Sequence, residues 1–166
     1  ELELRITEAL GAVGLREFDD ADPFLLGKGH RQQLAVASLL ALRPHVLILD
    51  EPTTGLDYPE QRRMMDLLRR LHADGLTLVV ITHSPWVVAE YAERGVLMRD
   101  GRIVFDGPLR ELFAQEDVLE RCHFRIPDFT RIGLRCGFTP LTLDELLGAM
   151  NAGGREHGGR EEGGVS

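Results

Sequence analysis

Residues 46–57 read Val-Leu-Ile-Leu-Asp-Glu-Pro-Thr-Thr-Gly-Leu-Asp, and this stretch decides the fold. The four apolar residues predict a fully buried strand of a parallel sheet. Two adjacent carboxylates, Asp50 and Glu51, end that strand. In open α/β sheets, ligands bind just beyond the carboxyl ends of the strands. The stretch therefore places two charges, which would be costly inside the sheet, at the edge where a ligand would lie.

Composition narrows the range of partners. The 166 residues include 19 basic and 27 acidic side chains, for a net charge of −8. Such a balance argues against general affinity for nucleic acid or anionic lipid. No apolar stretch approaches the length of a membrane span, and the sequence predicts no signal peptide. Cys122 and Cys136 are too few for a disulfide scaffold and lack zinc-site spacing, which indicates two reduced thiols.

Apolar spacing predicts a strand–helix–strand unit around residues 46–81, and therefore a right-handed βαβ crossover with a parallel sheet. Asp100-Gly101 predicts a β-hairpin. Helices are expected over about 1–13, 30–42, 59–72, 108–121, 128–136 and 142–149, a short helix is expected to end near Tyr91, and strands are expected over 46–50, 76–81, 96–98 and 103–105. Thr142 with Glu145 predicts a capping box at the last helix.

The two ends of the chain carry their own predictions. Glu1 already lies inside a helical pattern, which predicts that the sequence is a fragment of a longer protein. Residues 151–166 contain six glycines and almost no apolar side chain, which predicts a disordered tail.

Asp50, Glu51 and His83 are the candidate catalytic and metal residues. A carboxylate at the end of a strand can hold Mg²⁺, usually through water, and its neighbour can deprotonate an attacking water. If strand 76–81 lies beside strand 46–50, His83 lies near both carboxylates and can contact a terminal phosphate. The alternatives are a solvated acidic turn and a helix-capping turn before Ser84-Pro85. Because the stretch 46–57 and His83 after a second strand occur in one chain, we favour a functional site over these alternatives.

The segment Gly27-Lys28-Gly29-His30 is a candidate anion site. Glycines that open a helix expose backbone N–H groups at the positive end of its dipole, and Lys28 adds charge. A P-loop, G-x-x-x-x-G-K-[ST], fails here because position 22 is Asp and the residue after Lys28 is Gly29. No other segment of the 166 residues comes close to that pattern. The cradle for a nucleotide's own phosphates is therefore absent from this sequence.

In their order along the chain, these features resemble the ATP-binding cassette (ABC) ATPases. Val46–Asp50 resembles the Walker B segment, and Glu51 the catalytic glutamate that follows it. Gly55-Leu56-Asp57 is similar to the D-loop, and His83 to the switch histidine. The family signature, Leu-Ser-Gly-Gly-Gln, corresponds to residues 26–30, which read Leu-Gly-Lys-Gly-His here.

The resemblance implies a domain organisation. Residues 1–110 are expected to form the C-terminal part of an ABC ATPase domain, which is an α/β, P-loop NTPase-like parallel sheet with flanking helices. Residues 111–150 are similar to the helical C-terminal extension of the energy-coupling factor ATPases. Residues 151–166 remain as the tail. The energy-coupling factor ATPases drive vitamin or metal-ion uptake together with two membrane subunits.

The resemblance also implies a mechanism and partners. Two such domains dimerise head to tail, and each ATP lies between the Walker motifs of one subunit and the signature of the other. Asp50 is then expected to serve Mg²⁺, Glu51 to polarise water and His83 to contact the γ-phosphate. Asp57 helps to couple the two sites. The residues expected to hold the other subunit's ATP are Gly27, Lys28, Gly29 and His30. The expected partners are a second ATPase subunit and integral membrane transporter subunits, without nucleic acid. The expected location is cytoplasmic, peripheral on the inner face of the cell membrane.

Two departures from the family pattern qualify this interpretation. Three of the five signature residues differ, and Gly27 lacks the serine hydroxyl, for which we hypothesise that the charge of Lys28 substitutes. The P-loop, the adenine-stacking segment and the Q-loop are missing from the 166 residues, so we expect no ATP binding in cis. Two alternatives stay open: a non-transport ABC ATPase of the translation or DNA-repair kind, and a degenerate, non-catalytic dimerisation or binding module.

Overall fold

A computed structural model describes residues 1–156 of the chain. Two compact units follow one another, the first over residues 1–83 and the second from residue 84 onward. The first unit contains the helices α1 (Leu2–Ala12), α2 (Lys28–Leu40) and α3 (Tyr58–Ala73), the strands β1 (Val46–Asp50) and β2 (Thr77–Ile81), and two 3₁₀ turns, Arg16–Phe18 and Pro23–Leu25.

A side-chain cap and a glycine set the two ends of the crossover helix α3. Asp57 caps its N-terminus, because the Asp57 carboxylate accepts a hydrogen bond from Glu60 N at 2.8 Å. Gly75, with φ of +99°, follows its last turn in the left-handed conformation that glycine adopts without strain. The buried face of α3 consists of Met64, Met65, Leu67, Leu68 and Leu71.

The predicted parallel pairing of β1 and β2 is confirmed, in a register that sets Val46 beside Thr77 and Asp50 beside Ile81. The expectation that β1 is fully buried is wrong for this chain. Leu47 is buried at 4% exposure, whereas Val46 and Ile48 are 52% and 61% exposed. The reason is that successive side chains of a strand point to opposite faces, and only one face of this two-stranded sheet is covered.

The second unit contains an antiparallel hairpin and five helices within the described residues. Its elements are α4 (Pro85–Tyr91), β3 (Arg94–Arg99), β4 (Arg102–Pro108), α5 (Leu109–Phe113), α6 (Glu116–Arg121), α7 (Asp128–Arg135) and α8 (Leu143–Glu156). The hairpin turn is confirmed at Asp100-Gly101, where both residues have positive φ, 51° and 73°. The single helix expected over 108–121 is two helices, because the chain breaks at Ala114-Gln115.

The core of the second unit lies around Phe113, whose side chain is completely buried. The buried residues that pack with it are Ala89, Leu109, Leu112, Leu119 and Ile126. The capping box is confirmed in one half: Glu145 N donates to Thr142 Oγ1 at 3.2 Å. The Glu145 carboxylate instead accepts from Leu141 N at 3.0 Å, and it pairs with Arg110.

Helix α8 extends to Glu156, so the first residues of the segment expected to be disordered are helical. The remainder of that segment, 157–166, lies outside the described residues. The predicted boundary at residue 110 between an ATPase part and a helical extension stays a prediction. Within the part of the chain that the structure describes, none of the helices combines the length and apolarity needed to cross a bilayer.

Candidate functional site

The carboxyl ends of β1 and β2 bring Glu51 and His83 together. β1 ends at Asp50, opposite Ile81. The next residue, Glu51, continues the pairing with one hydrogen bond from its N–H to Ile81 O at 2.8 Å. His83 lies two residues beyond the end of β2. The two side chains are 32 positions apart in sequence, and the parallel register makes them neighbours.

Glu51 has an unusual backbone conformation, with φ of +46°. A non-glycine residue in this left-handed region costs about 1–2 kcal/mol. Such strain persists where the surrounding structure imposes it, often at functional sites. Here the hydrogen bond to Ile81 holds the backbone, and the turn directs the carboxylate toward the residues after β2.

Both oxygens of the Glu51 carboxylate accept hydrogen bonds. Oε1 accepts from His83 N at 2.9 Å and lies 2.5 Å from His83 Nδ1. Oε2 accepts from the hydroxyls of Thr54, at 3.3 Å, and Thr82, at 3.4 Å. Since an ionised carboxylate only accepts, His83 Nδ1 carries the proton. The other ring nitrogen, Nε2, is then the one available to a ligand, on a side chain that is 87% exposed.

These contacts set the protonation of Glu51. Partial burial raises the pKa of the Glu51 carboxyl, but the hydrogen bonds from the His83 side chain and backbone, the charge of His83 and the Thr54 hydroxyl outweigh it. The pKa of Glu51 therefore lies below its ordinary value. Glu51 is ionised at neutral pH, which is the state that can accept a proton from water.

We expect Glu51 to contribute to stability in a pH-dependent way. Because its folded-state pKa is depressed, its contribution is fully present above the unfolded-state value of about 4.5 and is lost as the pH falls through the folded-state pKa. Urea unfolding between pH 7 and pH 3 should therefore show a smaller acid-side loss for Glu51→Gln than for wild type.

Glu17→Gln, at an exposed position of the same unit, is the matched control for this pH series and should follow the wild-type profile. Identical profiles for wild type and Glu51→Gln would contradict the assignment.

Asp50 is the residue predicted to serve a metal ion. It is the last residue of β1, and it is exposed. Among residues 1–156, no group of three or more His, Cys, Asp and Glu side chains is arranged to hold a metal. A single carboxylate oxygen fits Mg²⁺, which keeps several waters and takes its other ligands from substrate phosphates. It does not fit an ion that needs an all-protein cage.

The segment 27–30 opens α2 as predicted. Gly27 is the N-cap residue and Lys28 the first helical residue, and α2 has no side-chain cap. The N–H groups of a helix's first turn have no partner within the helix, so here they remain donors for an anion. The ring of His30 packs against Phe18 with the centroids 5.0 Å apart.

Asp57, predicted to couple two sites, lies at the start of α3, where it serves as N-cap. Lys28 extends toward the loop before it: a Cβ atom added to Gly55 would collide with Lys28 Nζ. The sequence did not indicate Thr54, Thr82 or Phe18 as parts of the site. The only available signal was that Thr54 lies inside the stretch 46–57.

Comparison with families of known proteins connects this geometry to one group. A family model described as "AAA domain, putative AbiEii toxin, Type IV TA system" matches residues 14–89. A protein of Caldanaerobacter subterraneus named "Putative ABC transporter ATP-binding protein" is 48% identical over 89% of this chain and 26% of its own length. The energy-coupling factor transporter ATP-binding protein EcfA of Methanocaldococcus jannaschii is 37% identical over 76% of this chain and 46% of its own length. The chain thus spans about a quarter to about half of these curated relatives.

Solved structures of ABC-type proteins align with this chain. The cbiO1 protein of Clostridium perfringens, part of the ABC transporter complex cbiONQ, aligns with a TM-score of 0.64 and 32% identity, over 82% of this chain and 53% of that one. The ADP conformation of another ATP-binding cassette aligns with a TM-score of 0.67 over 74% of this chain and 49% of that one; at 20% identity it shows the fold alone. The predicted P-loop NTPase-like α/β fold is confirmed.

Proposed function

Because this chain belongs to the family of ABC-type ATP-binding proteins, we propose that it carries the signature, Walker B, D-loop and switch segments of the ATP-hydrolysing subunit of an importer of the energy-coupling factor kind. The observation that carries the proposal is the pairing of Glu51 with His83 where β1 and β2 end. The His83 side chain is 87% exposed, so its second ring nitrogen is accessible to a ligand.

Glu51 acts as the general base in this proposal. Its carboxylate is ionised and oriented by hydrogen bonds from both sides, so it can accept a proton from an attacking water. His83 donates to that carboxylate from Nδ1–H and, as an imidazolium, presents Nε2–H outward as a donor to a terminal phosphate oxygen. Thr54 and Thr82 position the second carboxylate oxygen.

Asp50 is proposed to hold the Mg²⁺ that accompanies ATP. The chemistry that this ion supplies when bound is neutralisation of charge on phosphoryl oxygens. The uncapped start of α2, residues 27–30, is proposed to bind the phosphates of a nucleotide held mainly by a second subunit. Asp57 is proposed to lie at the same interface. In this proposal two subunits form a head-to-tail dimer, and each subunit supplies one half of each nucleotide site.

The wider assembly is also a proposal. The EcfA relative is an energy-coupling factor transporter ATP-binding protein, and cbiO1 is part of a transporter complex. We propose the same setting here, with a second ATPase subunit and integral membrane subunits as partners, and a cytoplasmic location on the inner face of the cell membrane. The helical segments after residue 110 are proposed to be the C-terminal extension of that group.

The 166 residues alone are expected not to bind ATP stoichiometrically. They contain no G-x-x-x-x-G-K-[ST] segment, and the start of one helix is a weak site without that cradle. Isothermal titration calorimetry of these residues with Mg-ATP should show no saturable heat, whereas the full-length protein should bind and hydrolyse ATP. Micromolar binding of ATP by the 166 residues would contradict the expectation that they cannot bind ATP alone. A full-length protein without ATPase activity would instead favour a degenerate binding module.

A further inference from the structure

Lys28 is the only lysine among the 166 residues, which carry eighteen arginines. It begins α2, and its side chain reaches the loop that follows Glu51. A Cβ atom added to Gly55 would collide with Lys28 Nζ and would lie 3.1 Å from Lys28 Cε. The Lys28 ammonium therefore lies over the Cα atom of Gly55, where any other residue type would place its side chain.

A second contact joins the starts of α2 and α3, and here the side chain extends from α3 toward α2. A Cβ atom added to Gly29, in the first turn of α2, would lie 2.9 Å from Glu60 Oε1 and 3.2 Å from Glu60 Cδ. Glu60 belongs to the first turn of α3, and its backbone N–H is bound by Asp57. The Glu60 carboxylate thus lies beside Gly29, on the side of the first turn of α2 where a Cβ atom would be. Two glycines without side chains allow both approaches.

The loop that Lys28 contacts also holds the catalytic candidate. Gly55 directly follows Thr54, whose hydroxyl donates to Glu51 Oε2 at 3.3 Å. A continuous path therefore runs within one subunit from Lys28 through Gly55 and Thr54 to the Glu51 carboxylate. Each step of this path is a contact between neighbouring atoms or a peptide bond.

We propose that Lys28 is a positioning residue that joins the start of α2 to the orientation of the Glu51 carboxylate. This inference rests on the proposed function, in which the start of α2 meets the nucleotide of the other subunit. A displacement of α2 at that interface moves Lys28, and Lys28 moves the loop that carries Thr54. One subunit's contact with its neighbour's nucleotide thereby changes the geometry of its own general base.

This role concerns the Lys28 side chain, whereas the phosphates proposed to bind at residues 27–30 would meet the backbone N–H groups there. It therefore differs from a direct phosphate contact by the Lys28 ammonium. If Lys28 acts through its contact with Gly55, its effect depends on side-chain length. Lys28→Met largely keeps that length because methionine extends as far as the lysine Cε. A phosphate contact depends on charge, which Lys28→Met removes. In the full-length protein we expect Lys28→Ala to lower kcat about tenfold with little change in KM for ATP, and Lys28→Met to restore most of kcat. Equal loss in both variants, with a raised KM, would overturn the positioning role.

A double-mutant cycle tests the path itself. Gly55→Ala adds a Cβ atom where Lys28 Nζ lies, at a φ of +72°, so the flexible end of Lys28 has to move away and lose its contact with the loop; kcat should fall on the order of tenfold, as in Lys28→Ala. In the Lys28→Ala background the same substitution should cost clearly less, because the contact between Lys28 and the loop has already been removed. Gly14→Ala is the matched control, since Gly14 has a φ of +77° and no atom near its Cβ position. Its effect should be the same with and without Lys28. Additive effects of Lys28→Ala and Gly55→Ala would overturn the inference.

The single lysine allows a measurement that needs no nucleotide. Reductive methylation with ¹³C-formaldehyde keeps the lysine charge and labels one side chain, apart from the terminal amine. The dimethyl-lysine NMR signal of the 166 residues should shift in Gly55→Ala and stay in place in Gly14→Ala. An unshifted signal in Gly55→Ala would overturn the contact, and therefore the inference. A shifted signal together with an inactive full-length wild type would overturn the proposed function instead.

Discussion

Replacing Glu51 by glutamine should lower the rate of ATP hydrolysis of the full-length protein by about two to four orders of magnitude, the contribution expected of a general base. Glutamine has the size of glutamate, and its amide oxygen can still accept from His83 N or from the threonine hydroxyls. It cannot accept a proton from water. The substitution therefore removes the proposed chemistry and leaves the local hydrogen bonds largely in place.

The measurement is steady-state phosphate release, with nucleotide affinity determined in parallel by calorimetry. We expect kcat to fall and the Kd for ATP to change by less than about threefold, because the proposed role of Glu51 is in the transition state. Glu17→Gln, an exposed glutamate outside the site, should keep wild-type kcat. A Glu51→Gln protein with wild-type kcat would show that another group deprotonates the water.

Adding one methyl group at Gly133 should destabilise the second unit by about 2–3 kcal/mol. Gly133 is buried in α7. A Cβ atom at this position would collide with the ring of Pro140 and would lie 3.1 Å from Phe138 O. A proline ring and a backbone carbonyl cannot move aside as a flexible side chain can. Thr130, one turn earlier, holds the same segment by donating to Pro140 O at 2.8 Å.

Gly148→Ala is the matched control for Gly133→Ala, since Gly148 lies in α8 and has open space at its Cβ position. The same change should raise stability there by about 0.5–1 kcal/mol, because alanine loses less backbone entropy than glycine in a helix. Urea denaturation followed by circular dichroism measures both. Equal effects at the two positions would contradict the packing described around Pro140.

Most elements were predictable from the sequence because they depend on local patterns, and the parallel pairing of β1 with β2 was predictable from the strand–helix–strand order. The end of β1 at Asp50 and the hairpin at Asp100-Gly101 each follow from a few adjacent residues. The break near Ala114 was not predictable, because this segment has helical spacing throughout. Partial exposure of β1 was missed for a different reason: a continuous apolar run indicates two covered faces, and one face of β1 is uncovered in the described residues.

The sequence by itself determined which chemical groups are present and at which element ends they lie. The stretch 46–57 and the position of His83 after a second strand were enough to predict a carboxylate and an imidazole at one sheet edge. Only the tertiary structure decided the partners of each group. Glu51 adopts a positive φ and turns its carboxylate to His83, 32 residues away, and Lys28 lies over Gly55. Hydrogen bonds and steric contacts act over a few ångströms, so they depend on folded distances that residue spacing does not contain.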